Sequence, residues 1–186
     1  MIFRHFTDSR QNRNSYLIAS STSREAAIID PLESCLADYE ALLDQRGLRL
    51  VYTFQTHEDR HETVAADTLR MRRASIQVGP LQGMAVDDRQ ATRVDEVAKP
   101  GSSFWLGELT VEAVAPPRGA ECEVAYRVCD YTFAPNRVWI HDSVTGPNAE
   151  VRPDFAVEGS LLDAQLTRSP SGLIANERST RTNVPV

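Results

Sequence analysis

Three apolar runs set the frame for this chain. "SYLIAS", "EAAIID" and "LRLVYTF" are each strand-length and rich in residues that suit a sheet interior. The first two are parted by a short polar turn, and the second ends at Asp30-Pro31, because proline cannot donate to a strand ladder. Between the second and third, Leu36, Tyr39, Leu42 and Leu43 recur at helical spacing, and Gly47 supplies a C-terminal stop. Strands interleaved with a helix in this way predict an α/β layered domain.

The rest of the chain extends the pattern. "MIFRHF" reads as a strand before the three runs, a second helix covers about Glu62 to Arg73, and "SIQV" is a strand after it. Residues 80 to 100 read as irregular and charged. "SSFWLGELTVEAVAPP" reads as a hairpin turning at Gly107, "EVAYRV" and "YTFA" as paired strands, and "RVWIHDS" as a strand ending on His141-Asp142. A loop through Gly146 and Pro147 is expected to lead to a helix, "GSLLDAQL", and a short strand around "GLIA". One domain is predicted over residues 1–177, with a polar tail at 178–186.

The whole chain is 186 residues, enough for one substantial core. It carries a formal charge of −6 and no dense basic block, which argues against nucleic-acid binding. No apolar run approaches bilayer length and the first residues lack a signal-type apolar core, so a cytoplasmic location away from membranes is expected. Cys35, Cys122 and Cys129 are odd in number with no CxxC spacing, which predicts free thiols.

The stretch "TFQTHEDRHETV" holds two of the four histidines among several acids, directly after a strand. Such clusters at strand ends suit a metal. The run from "MIFRHF" through "AAIIDPLE", "LLDQRGLRLVYTFQTH", "FWLGELTVEAVAPP", "WIHDS" and "VRPDFAVEGSLLDAQL" resembles the persulfide dioxygenases, glutathione-linked sulfur dioxygenases of the metallo-β-lactamase superfamily near the hydroxyacylglutathione hydrolases. The resemblance implies an αββα sandwich, two mixed sheets between helices, with a metal at one edge.

The resemblance also shows where the motif departs. The family reads THxHxDH, and here the window is Thr56-His57-Glu58-Asp59-Arg60-His61-Glu62. His57 matches the first histidine. Without a gap, Asp59 takes the second histidine's place, His61 the acid's and Glu62 the last histidine's; with a one-residue deletion, His61 takes the last histidine's. The family's PGHTPG segment falls on Pro116–Glu121, with Arg118 at its histidine, and its GD strand end falls on His141-Asp142. The late histidine falls near Asn176, and the substrate-holding arginine on Arg152.

A persulfide dioxygenase holds one ferrous iron on two histidines and an aspartate, a set with open positions for thiol and oxygen. The matching positions here are His57, Arg118 and Asp142, and arginine offers no lone pair to a metal. Arg118 is instead expected to replace the metal as a cation, paired to Asp142. The bland reading of His57 and Asp142 is that they are inherited polar positions. His5 and His141 read as structural or surface residues.

Together these features predict a degenerate, non-catalytic relative, a pseudoenzyme of sulfur metabolism that acts as a binding or assembly partner. No cofactor is expected. The partners to expect are a small thiol or glutathione-type ligand near Arg152 and a protein partner or second copy. The alternative is an active sulfur dioxygenase or glutathione thioester hydrolase, with iron or zinc on a site rebuilt from His57, Asp59, His61 and Asp142.

Overall fold

A computed structural model describes residues 1–80, 94–117, 122–142 and 146–151; for Arg60, His61, 139–142 and 146–151 the description is of the backbone alone. The elements run β1 (Ile2–Asp8), β2 (Arg13–Ala19), β3 (Glu25–Ile29), a 3-10 turn (Glu33–Cys35), α1 (Leu36–Arg46), β4 (Arg49–Phe54), α2 (Arg60–Arg73), β5 (Ile76–Gly79) and β6 (Glu96–Val97). A second series follows: β7 (Ser103–Leu106), β8 (Leu109–Val114), β9 (Ala125–Val128), β10 (Tyr131–Ala134), β11 (Arg137–Asp142) and β12 (Gly146–Val151).

The two series make two sheets. The first is ordered β1-β2-β3-β4-β5-β6 and the second β12-β11-β10-β9-β8-β7. In the first sheet β1, β2 and β3 are antiparallel, whereas β3, β4, β5 and β6 are parallel. Parallel neighbours need a crossover, and α1 and α2 supply those between β3, β4 and β5. The second sheet is antiparallel across all its described pairs.

Strand alternation assigns each apolar side chain to a layer. Tyr16, Ile18, Ala27, Ile29 and Phe54 face the second sheet, where they meet Phe104, Leu106, Val111, Tyr126 and Phe133. The alternate residues Leu17, Ala19, Ala26, Ile28 and Leu50 face outward onto Tyr39, Leu42 and Leu43 of α1 and Leu69 of α2. Leu43 is fully buried, which contributes about 1.5–3 kcal/mol. α1 stops where expected, with Gly47 in the left-handed conformation at φ 58°.

The β7–β8 turn is stapled to the first sheet. Glu25 accepts from the Gly107 amide at 2.6 Å, and Ser20 Oγ donates to Glu108 at 2.6 Å. Gly107 has φ 58°, and a Cβ there would lie 2.3 Å from Ser23 Oγ, so this turn requires glycine.

Residues 146–151 differ from expectation. The Gly146-Pro147 segment opens strand β12, paired antiparallel to β11, rather than a loop. Among the described residues β12 is an edge strand, where an early proline leaves no described ladder bond unmet. β6, inside the stretch read as irregular, is only two residues long. The helix expected at "GSLLDAQL", the strand at "GLIA" and the tail boundary lie outside the described residues.

Candidate functional site

One edge of the sandwich gathers the polar residues. β3 and β4 are parallel, so Asp30 after β3 and Thr56-His57 after β4 emerge on the same side, the side where ligands bind in parallel sheets. β2 runs antiparallel to β3, which places its first residue, Arg13, there too. From the second sheet come the loop before β9 and the β10–β11 turn. Glu123 and Val124 donate their amides to Thr56 O at 3.1 and 3.2 Å, and Asn136 Oδ1 accepts the Asn14 amide at 2.8 Å.

Asp30 anchors this edge. It is 1% exposed and sits in the left-handed region at φ 49°, a conformation aspartate tolerates better than most residues. Its two oxygens accept the Thr56 amide and the Thr56 hydroxyl, both at 2.8 Å. With its hydrogen given to Asp30, Thr56 Oγ1 receives His57 Nδ1–H at 3.0 Å. That bond orients the imidazole.

Asp59 and Glu62 answer to helix α2. Asp59 Oδ1 accepts the Glu62 amide at 3.2 Å, and Asp59 O accepts the Thr63 amide and hydroxyl at 3.0 and 2.8 Å. Asp59 is therefore the N-cap, three residues before Glu62, in the spacing of a capping box. The helix starts at Arg60, two residues before the position read from sequence.

Charge is concentrated behind the cap. The Arg13 guanidinium ion-pairs with Asp59, and its Nη1 lies 3.8 Å from Glu62 Oε1. Glu62 is 3% exposed and its carboxyl shares a side-chain hydrogen bond with Asp30, while its Oε2 lies 3.7 Å from His57 Nδ1 with no hydrogen-bond partner. One donor atom from each of Asp30, His57 and Glu62 lies within 4.8 Å of the others. Burial, then the carboxylates of Asp30 and Asp59, push the Glu62 carboxyl up to about 10 against the pull of Arg13. Burial also raises Asp30, opposed by His57 and by its bonds from Thr56. Because Asp30 holds two donors, the proton of this pair belongs on Glu62.

The sequence-derived site is only partly assembled. His57 and Asp59 are at this edge, and His61 lies in the first turn of α2 with only its backbone described. Asp142 is elsewhere. β10 runs toward the edge and turns at Pro135-Asn136, and β11 then runs back, pairing Ala134 with Arg137 and Tyr131 with Ile140. Asp142 lies beyond Ile140, five residues and roughly 17 Å of strand from Arg137. The strand end that does meet the His57 edge carries Asn136. Asp142 therefore lies away from this edge, and the expected Arg118–Asp142 pair itself lies outside the described residues; among the described residues, the cation that meets these acids is Arg13. Arg118, Arg152 and Asn176 lie outside the described residues.

Arg13, Asp30 and Asn136 were not singled out from sequence as site residues, and Glu62 was placed at the motif's last position without being counted as a ligand. The capping-box spacing of Asp59 and Glu62 was a readable signal; Arg13, 46 residues from its partner, gave none. Cys35, Cys122 and Cys129 are free thiols, as expected. Burial and the charge of Asp30 push Cys122 up to about 12. His5, read as structural, stacks on Tyr16 and meets Asn14 Oδ1 at 2.7 Å. No helix among the described residues is long and apolar enough to cross a membrane.

No family model and no curated protein matches the chain. Solved structures do. ETHE1 from Myxococcus xanthus superposes with a TM-score of 0.61 and 25% identity, over 72% of this chain and 56% of that one. A metallo-β-lactamase from Staphylococcus aureus gives 0.56 and 16%, over 75% and 42%. The B3 metallo-β-lactamase BLEG-1 gives 0.52 and 18%, over 67% and 66%. The chain spans about half the length of the first two. With two facing sheets in this order and these neighbours, the chain has the metallo-β-lactamase-like fold.

Proposed function

We propose that the protein is a degenerate persulfide-dioxygenase-like member of this fold that does not carry out the family's oxidation and acts by binding. The observation that carries the reading is the ion pair of Arg13 with Asp59, at the position where the resemblance asks for the second histidine. Asn136 supports it, since the strand end reaching this edge offers an amide rather than a carboxylate. Ferrous iron in the family supplies open coordination positions for sulfur and oxygen. Among the described residues, one imidazole, three acids and a permanent cation do not fit that set. The similarity to ETHE1, a persulfide dioxygenase, makes a small thiol of glutathione type the first ligand to test, with a protein partner or second copy as the other class.

The test is oxygen uptake. Protein reconstituted with ferrous iron under argon is given glutathione persulfide in an oxygen electrode. No uptake above the protein-free control is expected. Turnover abolished by His57→Ala would return the reading of an active dioxygenase on a rebuilt site.

A further inference from the structure

We propose that α2 opens from the first sheet as a unit, a flap beside the Asp30 edge that charge holds more than apolar packing does. α1 and α2 cover the same outer face of that sheet but are seated differently. α1 buries Tyr39, Leu42 and Leu43 in one cluster with Leu17, Ile28 and Leu50. To that cluster α2 adds Leu69, and its other fully buried apolar residues among the described side chains are Ala65 and Ala66. Val64 and Met71 of α2 face solvent, at 44% and 79% exposure. Little apolar area therefore opposes the helix's departure.

The strands beneath α2 are polar where those beneath α1 are not. Thr53 of β4 pairs with Gln77 of β5, and alternation puts Ser75 on the same face. Their neighbours Phe54, Ile76 and Val78 go to the core between the sheets. Gln77 Nε2 donates to Asp67 of α2, and Gln55 Nε2 to Thr63, both at 3.1 Å. Thr53 Oγ1, Ser75 Oγ and Gln77 Oε1 are buried and make no hydrogen bond among the described residues. Each such group disfavours the closed helix, because opening gives it to water. Ion pairs act the other way. Arg72 reaches Glu40 at 3.1 Å and Arg73 reaches Asp44 at 2.6 Å, both on α1, and Arg70 reaches Asp95 at 3.1 Å just before β6. Every one of these six side chains is at least a quarter exposed, so salt weakens the pairs. Asp59 caps α2 and Glu62 sits in its first turn, so opening draws both away from Arg13 and Asp30 and uncovers that edge.

Hydrogen exchange of the full chain, followed by mass spectrometry of overlapping peptides at one pH, reads the opening. Peptides of α2 should exchange together, about tenfold or more faster than those of α1 and β2. Raising NaCl from about 0.1 to about 1 M shortens the screening length from about 10 to about 3 Å. That change should speed α2 about threefold, while α1, the internal reference, moves little. Arg72→Gln/Arg73→Gln, on the surface, should speed α2 in the same way and remove most of the salt effect. Thr53→Val/Gln77→Leu, which makes the layer apolar, should slow it. Peptides of α2 that exchange as slowly as those of α1 overturn the proposal. So does exchange that only creeps inward from one helix end, or an α2 rate that salt leaves unchanged. A folded Thr53→Val/Gln77→Leu protein with a faster α2 overturns it too; if that variant does not fold, the parent and the surface variant decide.

Discussion

Replacing Arg13 with Met would leave Asp59 without its guanidinium and Glu62 without the Arg13 cation that lies 3.8 Å from its Oε1. The Arg13 and Asp59 side chains are 24% and 17% exposed, so the pair is mostly but not fully withdrawn from water. Removing one partner of a fully buried pair costs about 3–5 kcal/mol, and an exposed pair contributes less than about 1. The expected loss for Arg13→Met lies between, at about 2–3 kcal/mol. In a chain of this size that is a fall in Tm of roughly 4–12 °C. Urea unfolding followed by far-UV circular dichroism measures it in chelator-treated buffer. Arg13→Met/Asp59→Asn should recover most of the loss, because it removes both charges and asparagine still caps α2. An Arg13→Met protein within about 0.5 kcal/mol of the parent would refute the account of Arg13 as the cation that makes these acids tolerable.

Other outcomes follow from single positions. Gly107→Ala should destabilise by about 1–3 kcal/mol, read by the same urea curves, since it adds a left-handed alanine and a 2.3 Å clash with Ser23. Tyr126→Phe should cost about 1 kcal/mol by thermal melt, through loss of its 3.0 Å bond to Gln55 O. Cys122 should resist iodoacetamide at pH 8 for far longer than exposed Cys129, as followed by mass spectrometry, because a thiol pushed up to about 12 holds almost no thiolate.

The layers were legible because their signals are local. Alternation in "SYLIAS" and "EAAIID" places Leu17 and Ile28 against the helices and Ile18 and Ile29 against the second sheet. Gly47 and Gly107 mark their turns by a backbone conformation that few other residues adopt. The position of Asp142 was not legible, because it depends on parity. Each hairpin reverses direction, so the added β10–β11 turn carries the end of the next strand to the opposite edge. A motif of two letters at a strand end gives no count of the reversals before it. Arg13 was hidden for a related reason: its partner lies across two strands and a helix, and no periodicity links them.

The window at 56–62 shows why a metal motif and a helix start can be confused. A ligand-bearing loop after a parallel strand leads directly into the next helix, so motif positions and capping positions coincide. Asp59 at the second histidine's place becomes the N-cap, and Glu62 at the last histidine's place becomes the third residue of α2. In a capping box that glutamate reaches back to the cap amide. Here its Oε2 instead turns inward toward His57, into a burial that only a proton or a cation can balance. The helix would be capped by Asp59 alone, so the inward glutamate is not needed for α2 to start. What it adds is a second buried carboxyl, hydrogen-bonded to Asp30 and set beside the partly exposed His57.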